Sequence, residues 1–212
     1  MKVLIINGSP RLNGNTAQVA QIIEGHIKRD DIDVEIYDLG DKEIKNCTAC
    51  MSCFKTANLK CIIDDDLNEL VLKAKDADAI ILGSPVHFAS ISGLMKNAMD
   101  RLFYVSGANG NLFRNKIGAS YTVVRRSGGS VAFQTLNNYL TYCEMVIPGS
   151  NYWTIVHGWH PGEAQYDAEG LNMIEVVSKR VVQLLDSKVS EKLAQHEPIA
   201  KVRTNFVRED LM

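Results

Sequence analysis

No apolar run in the chain approaches the roughly 18 residues that a membrane-spanning helix needs. Positive charge is not in excess either: 23 Lys and Arg against 25 Asp and Glu leave a net charge of −2, and no basic stripe stands out. Membrane and nucleic acid are therefore not the expected partners. Met1-Lys2-Val3 leads into an apolar strand, without the charged region and longer apolar region of a signal peptide. A cytoplasmic protein with reduced cysteines is the expectation. Two familiar phosphate signatures are missing, the Walker pattern GxxxxGK[ST] and the dinucleotide pattern GxGxxG. No Ser/His/Asp or paired-carboxylate constellation offers a hydrolytic site. No internal repeat, linker or low-complexity tract divides the 212 residues, of which 46% are hydrophobic and 23% charged. Those proportions are ordinary for a globular domain.

What is present begins with Val3 to Ile6, a short apolar run that reads as a buried parallel strand. A loop of Gly8, Ser9, Pro10, Arg11, Leu12, Asn13, Gly14 and Asn15 follows, and an amphipathic helix starts near Thr16. Strand, polar loop and helix start make an anion site, because the first N–H groups of a helix lack internal partners and carry its positive dipole end. Ser9, Asn15 and Thr16 add donors, and Arg11 adds a cation. The competing reading is an ordinary βα turn.

Further β segments read at Ile32–Tyr37, Ala79–Gly83, Lys116–Val124 and Met145–Ile147, with helices between them and a last helix from about Asp167 to Leu185. Five strands alternating with helices give an α/β doubly wound parallel sheet. Such sheets bind ligands at the carboxyl ends of their strands. Three polar loops leave those ends: Ser9 to Thr16, Ser84 to Ser90, and Arg125 to Ser130. Their convergence on one edge defines the expected site.

Four of the five cysteines fall in a stretch without periodicity, as Cys47-x2-Cys50-x2-Cys53-x7-Cys61. Two-residue gaps let consecutive thiolates face one centre, and a fourth completes tetrahedral sulfur coordination. Zinc, a [4Fe–4S] cluster and unliganded thiols all remain open, although three cysteines in C-x2-C-x2-C favour the cubane over zinc. Cys143 reads as a small buried hydrophobe. Asp64, Asp65 and Asp66 read as the N-terminus of a helix rather than a hard-metal site.

Gly8-Ser9-Pro10-Arg11 with Asn13-Gly14-Asn15-Thr16, Gly83 to Lys96 with Asp100-Arg101, and Arg125-Arg126-Ser127-Gly128-Gly129 together resemble the NADPH-dependent FMN reductase and iron–sulfur flavoprotein family. The stretches Asn151–Trp153, Val156–Gly158 and Pro161–Ala164 are similar to one branch of it. The resemblance covers about residues 1–187 and implies a flavodoxin-like, three-layer α/β/α fold with strand order 2-1-3-4-5. It implies a domain over 1–187, with a cysteine-rich insertion at about 41–62, whereas residues 188–212, which it does not cover, read as a tail or an oligomerisation arm. FMN is the implied cofactor. Ser9, Arg11, Asn13, Gly14, Asn15 and Thr16 would hold its phosphate. Ser84, Pro85, Val86, His87 and Phe88, with Arg125, Arg126, Gly128 and Gly129, would flank its ring. His87 stands where the family often has Tyr, so His87 or Arg125 could tune the flavin. A [4Fe–4S] cluster on Cys47, Cys50, Cys53 and Cys61 is implied by part of the family.

The leading expectation is an NAD(P)H-dependent FMN oxidoreductase that passes electrons to a small acceptor, with the chemistry centred on the flavin. The alternative is an iron–sulfur electron carrier served by ferredoxin, and a third reading is a redox sensor. A homodimer or homotetramer is expected from the aromatic bulk of Tyr152, Trp153, Trp159 and Tyr166. An arm on a neighbouring subunit would use Leu193, Ile199, Val202 and Phe206.

Overall fold

The computed structural model describes residues 1–200. β1 (Lys2–Asn7) runs parallel to β2 (Asp33–Asp38) on one side and β3 (Ala79–His87) on the other. β5 (Ile117–Val124) follows β3, and β6 (Ile155–His157) closes the row, so the order is β2-β1-β3-β5-β6. Between β3 and β5 in the chain lies β4, only Ser90–Ile91, which folds back on β3 as a hairpin. With that hairpin set aside, the order is the expected 2-1-3-4-5.

Side chains alternate across these strands with period two. Leu4, Ile6, Ile80 and Leu82 enter one core, and Val3, Ile5, Ile81 and Ala119 enter the other. Helices α3 (Leu67–Asp76), α4 (Gly93–Ala108) and α5 (Gly129–Tyr142) contribute buried residues to the first core. Helices α1 (Asn15–Ile27) and α6 (Ala168–Asp186) contribute to the second. Two short helices complete the set, α2 (Ser52–Thr56) in the cysteine segment and α7 (Val189–Leu193) after α6. Ser92 caps α4 by accepting the Met95 N–H (3.0 Å), and Asp167 caps α6 by accepting that of Gly170 (3.0 Å).

The fifth row of the sheet is not where the apolar pattern puts it. Val146 makes only an isolated bridge to Ile117, and the paired strand comes at Ile155–His157. Pro148 has no N–H to give to the ladder and Gly149 follows it, so the chain leaves the sheet and returns with Thr154, Ile155 and Val156. Of the tail, Leu193 and Ile199 are exposed, while Val202 and Phe206 lie outside the described residues. No helix among the described residues is long and apolar enough to cross a membrane.

Candidate functional site

Two of the three polar loops are locked together at the carboxyl edge of the sheet by a pair of serines. The Gly8 N–H donates to Gly83 O (2.7 Å), and Ser92 Oγ donates to Gly8 O (2.6 Å). Ser92 N in turn donates to Ser84 Oγ (3.0 Å). Met95 packs so close that a Cβ on Gly8 would lie 2.6 Å from its side chain, which requires glycine there. Tyr121 of β5 passes beneath both loops and donates to Thr16 O (3.0 Å). Its ring fills the space above Gly83, where any Cβ would clash at 2.2 Å.

Within the first loop, Asn7 Oδ1 accepts the Ser9 N–H (3.1 Å) and Ser9 Oγ accepts the Arg11 N–H (3.0 Å). The loop delivers Gly14 to the start of α1 without a side-chain cap. Gln18 is the first residue whose N–H reaches back, to Gly14 O at 3.1 Å. The N–H groups of Asn15, Thr16 and Ala17 thus have no acceptor within the helix. At that end of the helix Gly14, Asn15 and Thr16 line a cleft of about 170 Å³ together with Ser9, Arg11, Pro85, Val86, His87 and Arg125. Gly158, Trp159 and Pro161 form its far wall.

Arg11 and Arg125 both line this cleft, and neither has a carboxylate partner among the described residues. Arg125 instead lies over the Trp159 ring, 4.2 Å from its centroid, and the other ring of the turn, His160, stacks on Trp159 at 4.5 Å. The turn that carries Trp159 is tied down. Asn15 accepts the Ala164 N–H (3.2 Å) and donates to His160 O (2.9 Å), and Gly158 lies so near Asn15 that a Cβ would meet its amide at 2.8 Å. Glu163 accepts the N–H groups of Trp159 (2.7 Å) and His160 (3.0 Å), which hold its carboxyl below the ordinary value. Burial resists ionisation of Asp167, but hydrogen bonds from Gly170 and His157 outweigh it and lower that carboxyl as well. A broader recess of about 670 Å³ continues from the cleft past Arg125 and Trp159 to Tyr166 and Asp167.

Six expected residues do not line the cleft. Asn13 and Arg126 are exposed beside it. Ser84 is wholly buried and serves the serine pair. Phe88 and Ala89 turn the β3–β4 hairpin with φ of 48° and 61°, which leaves Phe88 fully exposed at the tip. Gly128 has φ of +90°, and its α-carbon packs under the hairpin, where a Cβ would lie 2.6 Å from Ala89 Cα. Gly129 is buried against Ile155. In contrast, Tyr121, Ser92, Gly158 and Trp159 shape the site without having been singled out for it. For Gly158 the signal available was the similarity of Val156–Gly158 to one branch of the family.

The four loop cysteines all line a second, small cavity of about 20 Å³ between the insertion and α4. Ala49 and Met51 adopt positive φ on this loop, which lets it coil back on itself. Ala49 N–H donates to Cys47 Sγ (3.4 Å), and Arg101 Nε donates to Cys61 Sγ (3.3 Å). Hydrogen bonds from Ser52 and Thr48 bring Cys50 down to about 7, whereas burial pushes Cys53 up. Burial also raises Cys143, to about 11, and it is 1% exposed as a core residue. The donor set is that of an iron–sulfur cluster. Among the described residues, however, no three His, Cys, Asp or Glu side chains are gathered as metal ligands, and the cavity is the size of one water.

Residues 1–160 match the family described as NADPH-dependent FMN reductase. Over 192 residues the chain is 34% identical to the iron-sulfur flavoprotein MJ1083 of Methanocaldococcus jannaschii, which covers 87% of this chain and 97% of that one. The FMN-dependent NADPH-azoreductase of Staphylococcus saprophyticus is 38% identical over 102 residues, 48% of this chain and 52% of its own. Among solved structures, a flavodoxin from the domain Archaea superposes with a TM-score of 0.57 at 17% identity, covering 88% of this chain and 99% of its own. The fold is flavodoxin-like.

Proposed function

The chain belongs to the NADPH-dependent FMN reductase family, and from that premise we propose that it is an FMN-dependent oxidoreductase passing electrons from a reduced nicotinamide to a small acceptor. The observation that carries this reading is the uncapped start of α1 facing the same cleft as two guanidinium groups without carboxylate partners. A dianionic phosphate matches that end of the cleft in charge and in donors. Ser9, Arg11, Gly14 and Thr16 would hold it. Pro85, Val86 and His87 on one side and Trp159 on the other would hold a planar ring. FMN, when bound, supplies the one- and two-electron chemistry, and the chain supplies binding, orientation and electrostatics. Arg125 places positive charge beside the ring position, which favours negative charge arriving there. Trp159 is braced by His160 and by the hydrogen bond from its N–H to Glu163.

The test is anaerobic titration of the FMN-loaded protein with NADPH and then NADH. Loss of the flavin absorption bands at one equivalent of either nucleotide is the expected result. A flavin that only a one-electron donor such as reduced ferredoxin bleaches would overturn it. That outcome belongs to a second reading, an iron–sulfur electron carrier. What favours it is that Cys47, Cys50, Cys53 and Cys61 face one cavity, in a chain similar to a protein named iron-sulfur flavoprotein. Iron and acid-labile sulfide on anaerobically purified protein distinguish the two, at about four irons per chain for a cubane.

A further inference from the structure

The carboxyl end of β6 carries a histidine and a carboxylate that the cofactor cleft does not use. His157 pairs with Val124 across the last row of the sheet, and Gly158 N–H donates to Val124 O (3.0 Å). The strand ends therefore set Arg125 and His157 on one edge. Asp167, the cap of α6, accepts the Gly170 N–H on Oδ1 (3.0 Å) and the His157 N–H on Oδ2 (2.6 Å). The same Oδ2 lies 3.2 Å from His157 Nδ1. A Cβ on Gly170 would lie 2.4 Å from that oxygen, so the start of α6 closes over the carboxylate.

Burial opposes the charge on Asp167, but the bonds from Gly170 and His157 outweigh it, and an ionised carboxylate can only accept. The nitrogen facing it, Nδ1, therefore carries a hydrogen whether the ring is neutral or charged. Nε2 is left as the nitrogen that takes up and releases a proton. Among the described residues Nε2 has no partner. The His157 side chain is 54% exposed and lines the recess of about 670 Å³, which shares Arg125, Gly158 and Trp159 with the cofactor cleft. The other titratable groups there are Arg125, Glu163, Tyr166 and Asp167. Glu163 is engaged by the N–H groups of Trp159 and His160, and a guanidinium keeps its protons. Among these side chains an imidazole is the one suited to give a proton and take it back near neutral pH.

We propose that His157 Nε2 is the proton donor to the acceptor reduced in this recess, and that Asp167 is its positioning residue. The inference rests on the oxidoreductase reading above, in which reduced FMN supplies the hydride. With a quinone as acceptor, the hydride gives the hydroquinone monoanion. The Nε2–H bond then breaks as an O–H bond forms, and the neutral hydroquinone leaves. The ring keeps its hydrogen on Nδ1 and regains the other from water at its exposed edge.

The test uses the FMN-loaded full chain, reduced anaerobically with one equivalent of dithionite so that the nicotinamide step plays no part. Stopped-flow mixing follows, with 1,4-benzoquinone or with ferricyanide, which takes electrons without a proton. Reoxidation of the wild type by the quinone should slow as the pH rises. His157→Gln should lose that pH dependence, and should lose at least about tenfold more rate with the quinone than with ferricyanide. Nitrogen-15 spectra of the imidazoles, with His157 assigned by its absence from His157→Gln, give a readout apart from activity. The neutral ring should carry its hydrogen on Nδ1, and that preference should weaken in Asp167→Asn, whose side chain still caps α6. Equal losses with the two oxidants overturn the proposal, as does a pH dependence that His157→Gln retains. So does a wild-type ring with its hydrogen on Nε2, and an unaltered ring in Asp167→Asn overturns the part given to Asp167. The expected pattern in a protein that neither NADPH nor NADH reduces would overturn the nicotinamide reading alone. Failure to bind FMN shows before any oxidant is added and overturns both.

Discussion

Arg101 is a single side chain that holds a whole segment in place. Its guanidinium is 1% exposed and spends all five N–H groups: on Asp65 through two bonds (2.6 and 2.8 Å), on Lys45 O, on Ile63 O and on Cys61 Sγ. The partner carboxylate is fully buried. Burial opposes the charge on Asp65, but the bonds from Arg101 and from the Lys45 N–H outweigh it and hold the carboxyl below the ordinary range. Removing one partner of such a pair strands the other, so Asp65→Asn should destabilise the fold by about 3–5 kcal/mol in urea unfolding. The pH dependence follows from the direction of the shift. A lowered folded pKa gives a contribution complete above the unfolded value of about 3.9 and lost as the pH falls through the folded value. Wild-type stability should therefore fall more steeply below about pH 4 than that of Asp65→Asn, and parallel acid titrations would contradict the role assigned to the pair. Sequence pattern marks Asp64–Asp66 as a helix start, and Asp65 does accept the Leu67 N–H. Its larger role was not legible, because it depends on an arginine 36 residues away, which the sequence marks as part of a family-like motif without showing its partner.

Among the elements, the β3–β4 hairpin and the start of α5 act as one unit. Phe88 and Ala89 both take left-handed backbone at the tip, a conformation that two-residue hairpins usually give to Asn-Gly. Phe-Ala carries no such signal, so a polar loop was the natural reading and the hairpin was missed. The strain is held by packing under Gly128, itself at φ +90° with Ala89 against its α-carbon. Gly128→Ala adds both an unfavourable backbone and a clash, at about 1–3 kcal/mol. Because the unit forms one wall of the cleft, FMN affinity should drop by roughly tenfold or more in a fluorescence titration. Unchanged affinity would mean that the hairpin does not bear on the cofactor. The fifth row teaches a similar lesson. Met145–Ile147 is the more apolar of the two pieces, yet it is Ile155–His157, beyond Pro148, that pairs continuously.

At the scale of the whole molecule, the doubly wound sheet was legible because its inner strands β1, β3 and β5 are largely buried on both faces, its edge strand β2 alternates, and its helices carry one apolar stripe each. The edge that binds ligands follows from strand direction alone. The anion end of the cleft was legible for the same reason: Gly14, Thr16 and Arg11 are adjacent in sequence. The opposite wall was not, since Gly158 and Trp159 reach the cleft only through the turn that Asn15 ties from 145 residues away.

The central claim is that the uncapped start of α1 and Arg11 bind the phosphate of FMN. Titration of the apoprotein with FMN and with riboflavin, which lacks the phosphate, tests it most directly. FMN should bind roughly 100-fold or more tightly than riboflavin, the scale of two charge-assisted contacts. Arg11→Met should cost FMN roughly tenfold and leave riboflavin unchanged. Equal binding of the two flavins, or no binding of either, would contradict the account.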